Sequence, residues 1–172
     1  SVGLNADSTA VVIGAMLISP LMGPILGLGF SIATNDINTL KNSSSNFIAM
    51  VLISVLTAFI FFLVFPIKDQ SSELLTRTEF DIRDVLIAFF GGLALIIAKT
   101  KKENISTAIF GVAIATALMP PLCTAGFYLA IYEIELAVKA MYLFIINSMY
   151  IIVATYLVLK FLQFPLLNYT NS

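Results

Sequence analysis

The stretch GAMLISPLMGPILGLGFSIA, Gly14 to Ala33, decides the architecture, because it returns later as GVAIATALMPPLCTAGFYLA, Gly111 to Ala130. At an ungapped offset of 97 residues Gly14 meets Gly111, Leu21-Met22 meets Leu118-Met119 and Pro24 meets Pro121. Gly29-Phe30 then meets Gly126-Phe127, Ala33 meets Ala130, and the hydroxyls of Ser19 and Thr116 coincide. Apolar matches arise easily by chance. Matched prolines and glycines do not, because each has its own effect on a helix. Downstream, Phe47-Ile48 pairs with Phe144-Ile145 at the same offset, and LVFP ending at Pro66 echoes LQFP ending at Pro165 after a two-residue slip. The chain reads as two related halves.

Each repeat lies in a long uncharged run. Twenty-eight uncharged residues separate Asp7 from Asp36, 26 separate Lys41 from Lys68, and 14 separate Asp84 from Lys99. Another 29 separate Glu103 from Glu133, and 20 separate Lys139 from Lys160. A membrane-crossing helix needs roughly 20 apolar residues. The 14-residue run is short, and it reaches that length by starting near Phe80 and letting Lys99 extend toward the interface. Over the whole chain of 172 residues, 59% are hydrophobic and only 11% charged, with mean hydropathy +1.00. A soluble domain carries about 25% charge. The sequence therefore predicts an all-α integral membrane protein. It would be a helical bundle of five hydrophobic segments (9–33, 46–66, 82–98, 105–131 and 139–162) in one transmembrane domain, with proline-broken helices in the first and fourth.

The second half carries a helix ahead of its broken element, whereas only SVGLNAD precedes the broken element of the first. This predicts a fragment lacking an upstream transmembrane helix, three helices per repeat and, three being odd, an inverted repeat. The KTKK cluster at Lys99–Lys102 lies in a short loop, which places it and the C-terminus in the cytoplasm by the positive-inside rule. The predicted location is a prokaryotic inner membrane, multi-pass. The polar stretch between Ile67 and Asp84 is either an amphipathic surface turn or a solvated loop.

Composition excludes much chemistry. The chain has no His, a single Cys123 and a net charge of -1. Imidazole metal sites, hydrolytic triads and intramolecular disulfides lack their parts, and there is no basic surface for nucleic acid. No cofactor, metal or enzymatic activity is expected. The partners expected are the lipid bilayer and further copies of the chain in a homo-oligomer.

Helix-breaking residues at corresponding places in two halves point to a transporter site. A proline removes an intrahelical bond, and in lipid the freed groups need partners within protein or water. The residues expected to line a path are Ser19, Pro20, Gly23, Pro24, Thr116, Pro120, Pro121, Thr124 and Asn147. Hydroxyls and freed carbonyls can replace part of a cation's hydration shell, and half-helix N-termini can meet an anion. For any single Ser or Thr the plainer expectation is a hydrogen bond to its own helix. For Asn147 it is an interhelical bond, and for Gly23 and Gly27 close packing. Asp7 reads as a helix cap, with Ser8, Thr9, Ser106 and Thr107 near the two entry points, and Asp36 reads as a loop residue.

The paired SPLMGP and LMPPL motifs, with STAVVIGAM before the first, resemble those of a hydrophobic prokaryotic membrane family catalogued as domain of unknown function 389. The resemblance runs from about Ala10 to Phe161. It implies an upstream transmembrane helix and often a cytoplasmic N-terminal domain, and it supplies no substrate. Two functions follow as expectations. One is a transporter or channel for a small ion or solute. The other is a membrane scaffold or sensor whose activity lies in an N-terminal domain.

Overall fold

The computed structural model describes residues 21–65, 82–100 and 118–162, and every regular element among them is helical. Five helices follow in order: α1 (Met22–Thr34), α2 (Ile37–Val64), α3 (Ile82–Thr100), α4 (described over Leu118–Ala130) and α5 (Ile134–Phe161). Helices α2 and α5 are long and apolar enough to cross a bilayer. Each has 28 residues, or about 42 Å of helix.

Pro24 is the third residue of α1. There its ring takes no hydrogen bond from the helix, because the first N–H groups of any helix lack an internal acceptor. Pro24 therefore opens α1 and does not interrupt it. Pro120 and Pro121 are buried in the described part of α4.

Two turns join the short helices to the long ones. Asn35 closes α1 in the left-handed region at φ 58°, and the Asp36 N–H donates to the Ser31 carbonyl at 2.9 Å. Between α4 and α5 the left-handed residue is Tyr132 at φ 63°, and the Glu133 N–H donates to the Tyr128 carbonyl at 2.9 Å. Both are six-to-one closures that satisfy late carbonyls of the preceding helix.

Asp36, expected to be a loop residue, is the N-cap of α2. Its Oδ1 accepts from the Thr39 N–H at 3.0 Å, and its other carboxylate oxygen accepts from the Thr39 hydroxyl. This cap lets α2 begin at Ile37, ahead of the apolar segment expected from residue 46, through the polar turns NTLKNSSSN. Asp36→Ala is expected to cost about 1 kcal/mol. Thermal unfolding of purified protein checks this, with Asp36→Asn holding most of the parent's midpoint.

Helix directions follow from the contacts. Gly27 of α1 faces Ser43 of α2, as expected of antiparallel neighbours joined by a tight turn. Between α3 and α5, Phe89 meets the Tyr150 ring edge-on at 6.4 Å, Gly92 faces Ile151 and Ala154, and Ile96 packs with Val158 and Leu159. Both numberings rise together, so α3 and α5 are parallel. Gly29 and Ala33 of α1 likewise meet Thr155 and the Val158–Leu159 cluster of α5. Leu118 and Leu122 of α4 share a cluster with Phe47 and Val51 of α2, and Gly126 and Phe127 meet Ala58 and Phe62. Helices α1, α3 and α5 thus run one way, and α2 and α4 the other.

The largest core cluster among the described residues is apolar and draws on α1, α2, α3, α4 and α5. Leu21, Ile25, Leu118, Leu122, Phe144 and Ile151 are all buried in it. Phe47 stacks on Phe144 beside them, centroids 5.8 Å apart and planes within 13°.

Candidate functional site

Of the residues expected to line a path, Ser19, Pro20 and Thr116 lie outside the described residues, as do Asp7, Ser8, Thr9, Ser106, Thr107 and the Lys101–Lys102 part of the basic loop. Gly23 is exposed, and a Cβ there would meet nothing within 4 Å among the described residues. Close packing, expected at Gly23 and Gly27, is seen at Gly27, where a Cβ would come within 2.5 Å of Ser43 Oγ. Pro24 is half-buried at the start of α1, and Pro120, Pro121, Thr124 and Asn147 are buried. The structure brings α1 and α4 together at the centre, through Leu21 and Ile25 on one and Leu118 and Leu122 on the other. What meets there is apolar.

Two groups stand out among the buried hydroxyls. Ser31, Thr34, Ser148 and Thr155 donate to carbonyls of their own helices, three or four residues back, at 2.8–2.9 Å. For these the plain expectation for a helical hydroxyl holds. Thr124 Oγ1 and Tyr128 Oη differ. Both residues are 0% exposed, and neither oxygen has a hydrogen-bond partner among the described residues. They stand four residues apart on α4, and so on one face of it. Buried hydroxyls are almost always paired, so two in succession without partners among the described residues mark this face as unusual.

Tyr128 was not among the residues singled out from sequence, although its spacing from Thr124 was available. A tyrosine within GFYLA reads as one more aromatic of a core. It does pack in one, with Ala58, Phe62, Phe127 and Ala137.

Two glycines set how closely the helices cross. A Cβ at Gly29 would lie 2.5 Å from Thr155 Cβ and 3.0 Å from the Ile152 carbonyl oxygen. At Gly126 it would lie 2.5 Å from Ala58 Cβ and 2.9 Å from the Val55 carbonyl oxygen. Only glycine allows these backbones so near. The hydroxyls are distributed differently about the two hairpins. Gly27 opposes Ser43 in the first, and the residues 97 further on are Thr124 and Ala140. The first hairpin carries its hydroxyl on the long helix, the second on the short one.

The matching family model, described as a domain of unknown function (DUF389), covers residues 16–153. An uncharacterised protein of the archaeon Methanocaldococcus jannaschii is 31% identical over 145 residues, which is 84% of this chain and 45% of that protein. The chain thus spans less than half the length of this relative. No solved structure matches. With paired proline motifs, a family model over most of the chain and a relative aligned along the same stretch, the chain belongs to the DUF389 family.

Proposed function

We propose that the chain is the membrane-embedded part of a transporter or channel for a small ion or solute, built as two halves inserted in opposite orientations. One observation carries the two-half reading. Under a shift of 97 residues, Gly29 becomes Gly126, Ala58 becomes Thr155 and Val55 becomes Ile152. The crossing of Gly29 on Thr155 and Ile152 therefore exchanges with that of Gly126 on Ala58 and Val55. Each half lays its glycine helix on the long helix of the other, at equivalent atoms.

Further coincidences support it. The bounds of α2 and α5, the left-handed residues Asn35 and Tyr132, and their closing hydrogen bonds all differ by the same 97. The stacked pair Phe47 and Phe144 is equivalent to itself under the exchange, as residues beside a two-fold axis must be. Equivalent helices run oppositely, α1 against α4 and α2 against α5, which supports an inverted relation.

The transport reading is supported by helices that start at or carry prolines in both halves, and by the hydroxyls of Thr124 and Tyr128, which have no partner among the described residues. In this conformation the Leu21–Ile25–Leu118–Leu122 cluster closes the centre. A path through it needs α1 and α4 to move apart. The reading includes a prokaryotic inner membrane, a homo-oligomer, the Lys99–Lys102 loop and C-terminus in the cytoplasm, and no enzymatic chemistry.

The test is flux into liposomes holding the full-length protein, beside a Pro24→Ala/Pro121→Ala variant shown to be folded. Flux is expected in the parent and altered, by about tenfold, in the variant. No flux of any cation, anion or small metabolite in a broad panel would transfer the function to a scaffold or sensor role.

A further inference from the structure

The two long helices are equivalent in position and unequal in burial. Helix α5 buries eleven residues, and α2 buries only Ser43, Ala58 and Phe62. Part of the difference is one neighbour, α3. Its Gly92 sits on Ile151 and Ala154 of α5, its Phe89 on Tyr150 and its Ile96 beside Val158. Ile151 and Ala154 are fully buried as a result.

Shifted back by 97 residues, that footprint falls on Ile53, Ser54, Thr57 and Phe61 of α2. Ile53 and Thr57 are exposed, and Ser54 and Phe61 half-buried. The bare footprint also carries two small hydroxyl residues where lipid would favour large apolar ones. Small residues on one stripe are what a close helix neighbour needs.

We infer that the Ile53–Ser54–Thr57–Phe61 face of α2 is a docking surface for one further transmembrane helix of the same polypeptide, lying outside residues 1–172 and running parallel to α2. The inference rests on the two-half reading above and is independent of transport. The exchange of halves defines the occupant's place and direction, those of α3 on α5. It also implies a small residue opposite Thr57, as Gly92 stands opposite Ala154. The archaeal relative has the length for such a segment, since the match covers only 45% of it. A lipid-covered face elsewhere on α2 is equally defined. Leu56 corresponds to Val153, which stays 46% exposed with α3 seated.

The test is disulfide cross-linking of the full-length protein in membranes, in a Cys123→Ser background. Thr57→Cys is combined with single cysteines scanned along each apolar segment outside residues 1–172. The control is Gly92→Cys with Ala154→Cys, because a Cβ at Gly92 lies 3.1 Å from Ala154 Cβ, near the reach of a disulfide of about 3.5–4.5 Å. The expected result is an intramolecular link from Thr57→Cys in most molecules, at positions one helical turn apart in a single segment, while Leu56→Cys links at least tenfold less. A dimer linked through Thr57→Cys alone would overturn the inference in favour of a second copy. A linked control with no link from Thr57→Cys, or a gene encoding no further apolar segment, would overturn it in favour of lipid, leaving the two-half reading and the flux result untouched. Failure of the control itself would remove the α3–α5 packing on which both the inference and the footprint stand.

Discussion

Gly126→Ala and Gly29→Ala should each destabilise the protein by about 1–3 kcal/mol, the usual cost of overpacking, while Gly23→Ala leaves it unchanged or slightly firmer. All three replace one hydrogen by one methyl in an apolar helix. They differ in what the methyl meets. At Gly126 it would lie 2.5 Å from Ala58 Cβ, 2.9 Å from the Val55 carbonyl and 3.0 Å from the Phe59 nitrogen. Two of these three are backbone atoms inside α2, which cannot turn aside as a side chain can. At Gly29 the methyl would meet Thr155 Cβ and Cγ2 at 2.5 and 2.7 Å and the Ile152 carbonyl at 3.0 Å. At Gly23 it would meet nothing within 4 Å among the described residues.

Thermal unfolding of purified variants reads the contrast. Ala58→Gly added to Gly126→Ala should restore part of the loss, because it removes the Cβ neighbour and leaves the two backbone ones. Gly126→Leu should yield little folded protein. Equal midpoints for parent, Gly126→Ala and Gly29→Ala would mean that the helices do not cross where the structure has them. A loss at one glycine only would break the equivalence of the two halves.

These crossings also show how far the sequence could be read. Uncharged runs gave the helices approximately, and prolines and glycines in register are the ground for the two halves proposed above. An alignment of halves says which residues are equivalent, and nothing in it says which ones touch. That Gly29 meets Thr155 and not its own half's Ala58 depends on how the halves pack, and packing is a property of surfaces and not of spacing. The turns were hidden for a simpler reason. Asn35 and Tyr132 share a left-handed backbone but no side-chain chemistry, and only asparagine advertises that conformation. Asp36 looked like loop because the residues after it are polar. Its carboxylate instead starts a helix whose first turns lie outside the apolar run. The unequal burial of α2 and α5 was out of reach as well. Both are long and apolar enough to cross a bilayer, and part of the difference lies in α3, which packs on α5.

Tyr128→Phe and Thr124→Val are expected to raise the unfolding midpoint and to lower flux. Both substitutions keep the shape of the side chain and delete a hydroxyl that is 0% exposed and has no partner among the described residues. An unsatisfied buried polar group costs about 1–3 kcal/mol, so removing it should stabilise by about 1 kcal/mol at each site. Ser148→Ala and Thr155→Val are the comparison. Their hydroxyls already donate to the Phe144 and Ile151 carbonyls, at 2.8 and 2.9 Å, so the same deletion brings no such gain. A hydroxyl that is costly in the closed core persists most simply if it is used in another conformation. In such a conformation the α4 face bearing Thr124 and Tyr128, which here packs on Ala58, Phe62 and Ala137, would meet solute or water. That exchange of stability for activity is the usual signature of a working site. Higher midpoints with unchanged flux would make the two hydroxyls a packing cost without a use. Lower midpoints would mean that they hold a buried water or another partner in the folded protein, and the face would then be structural.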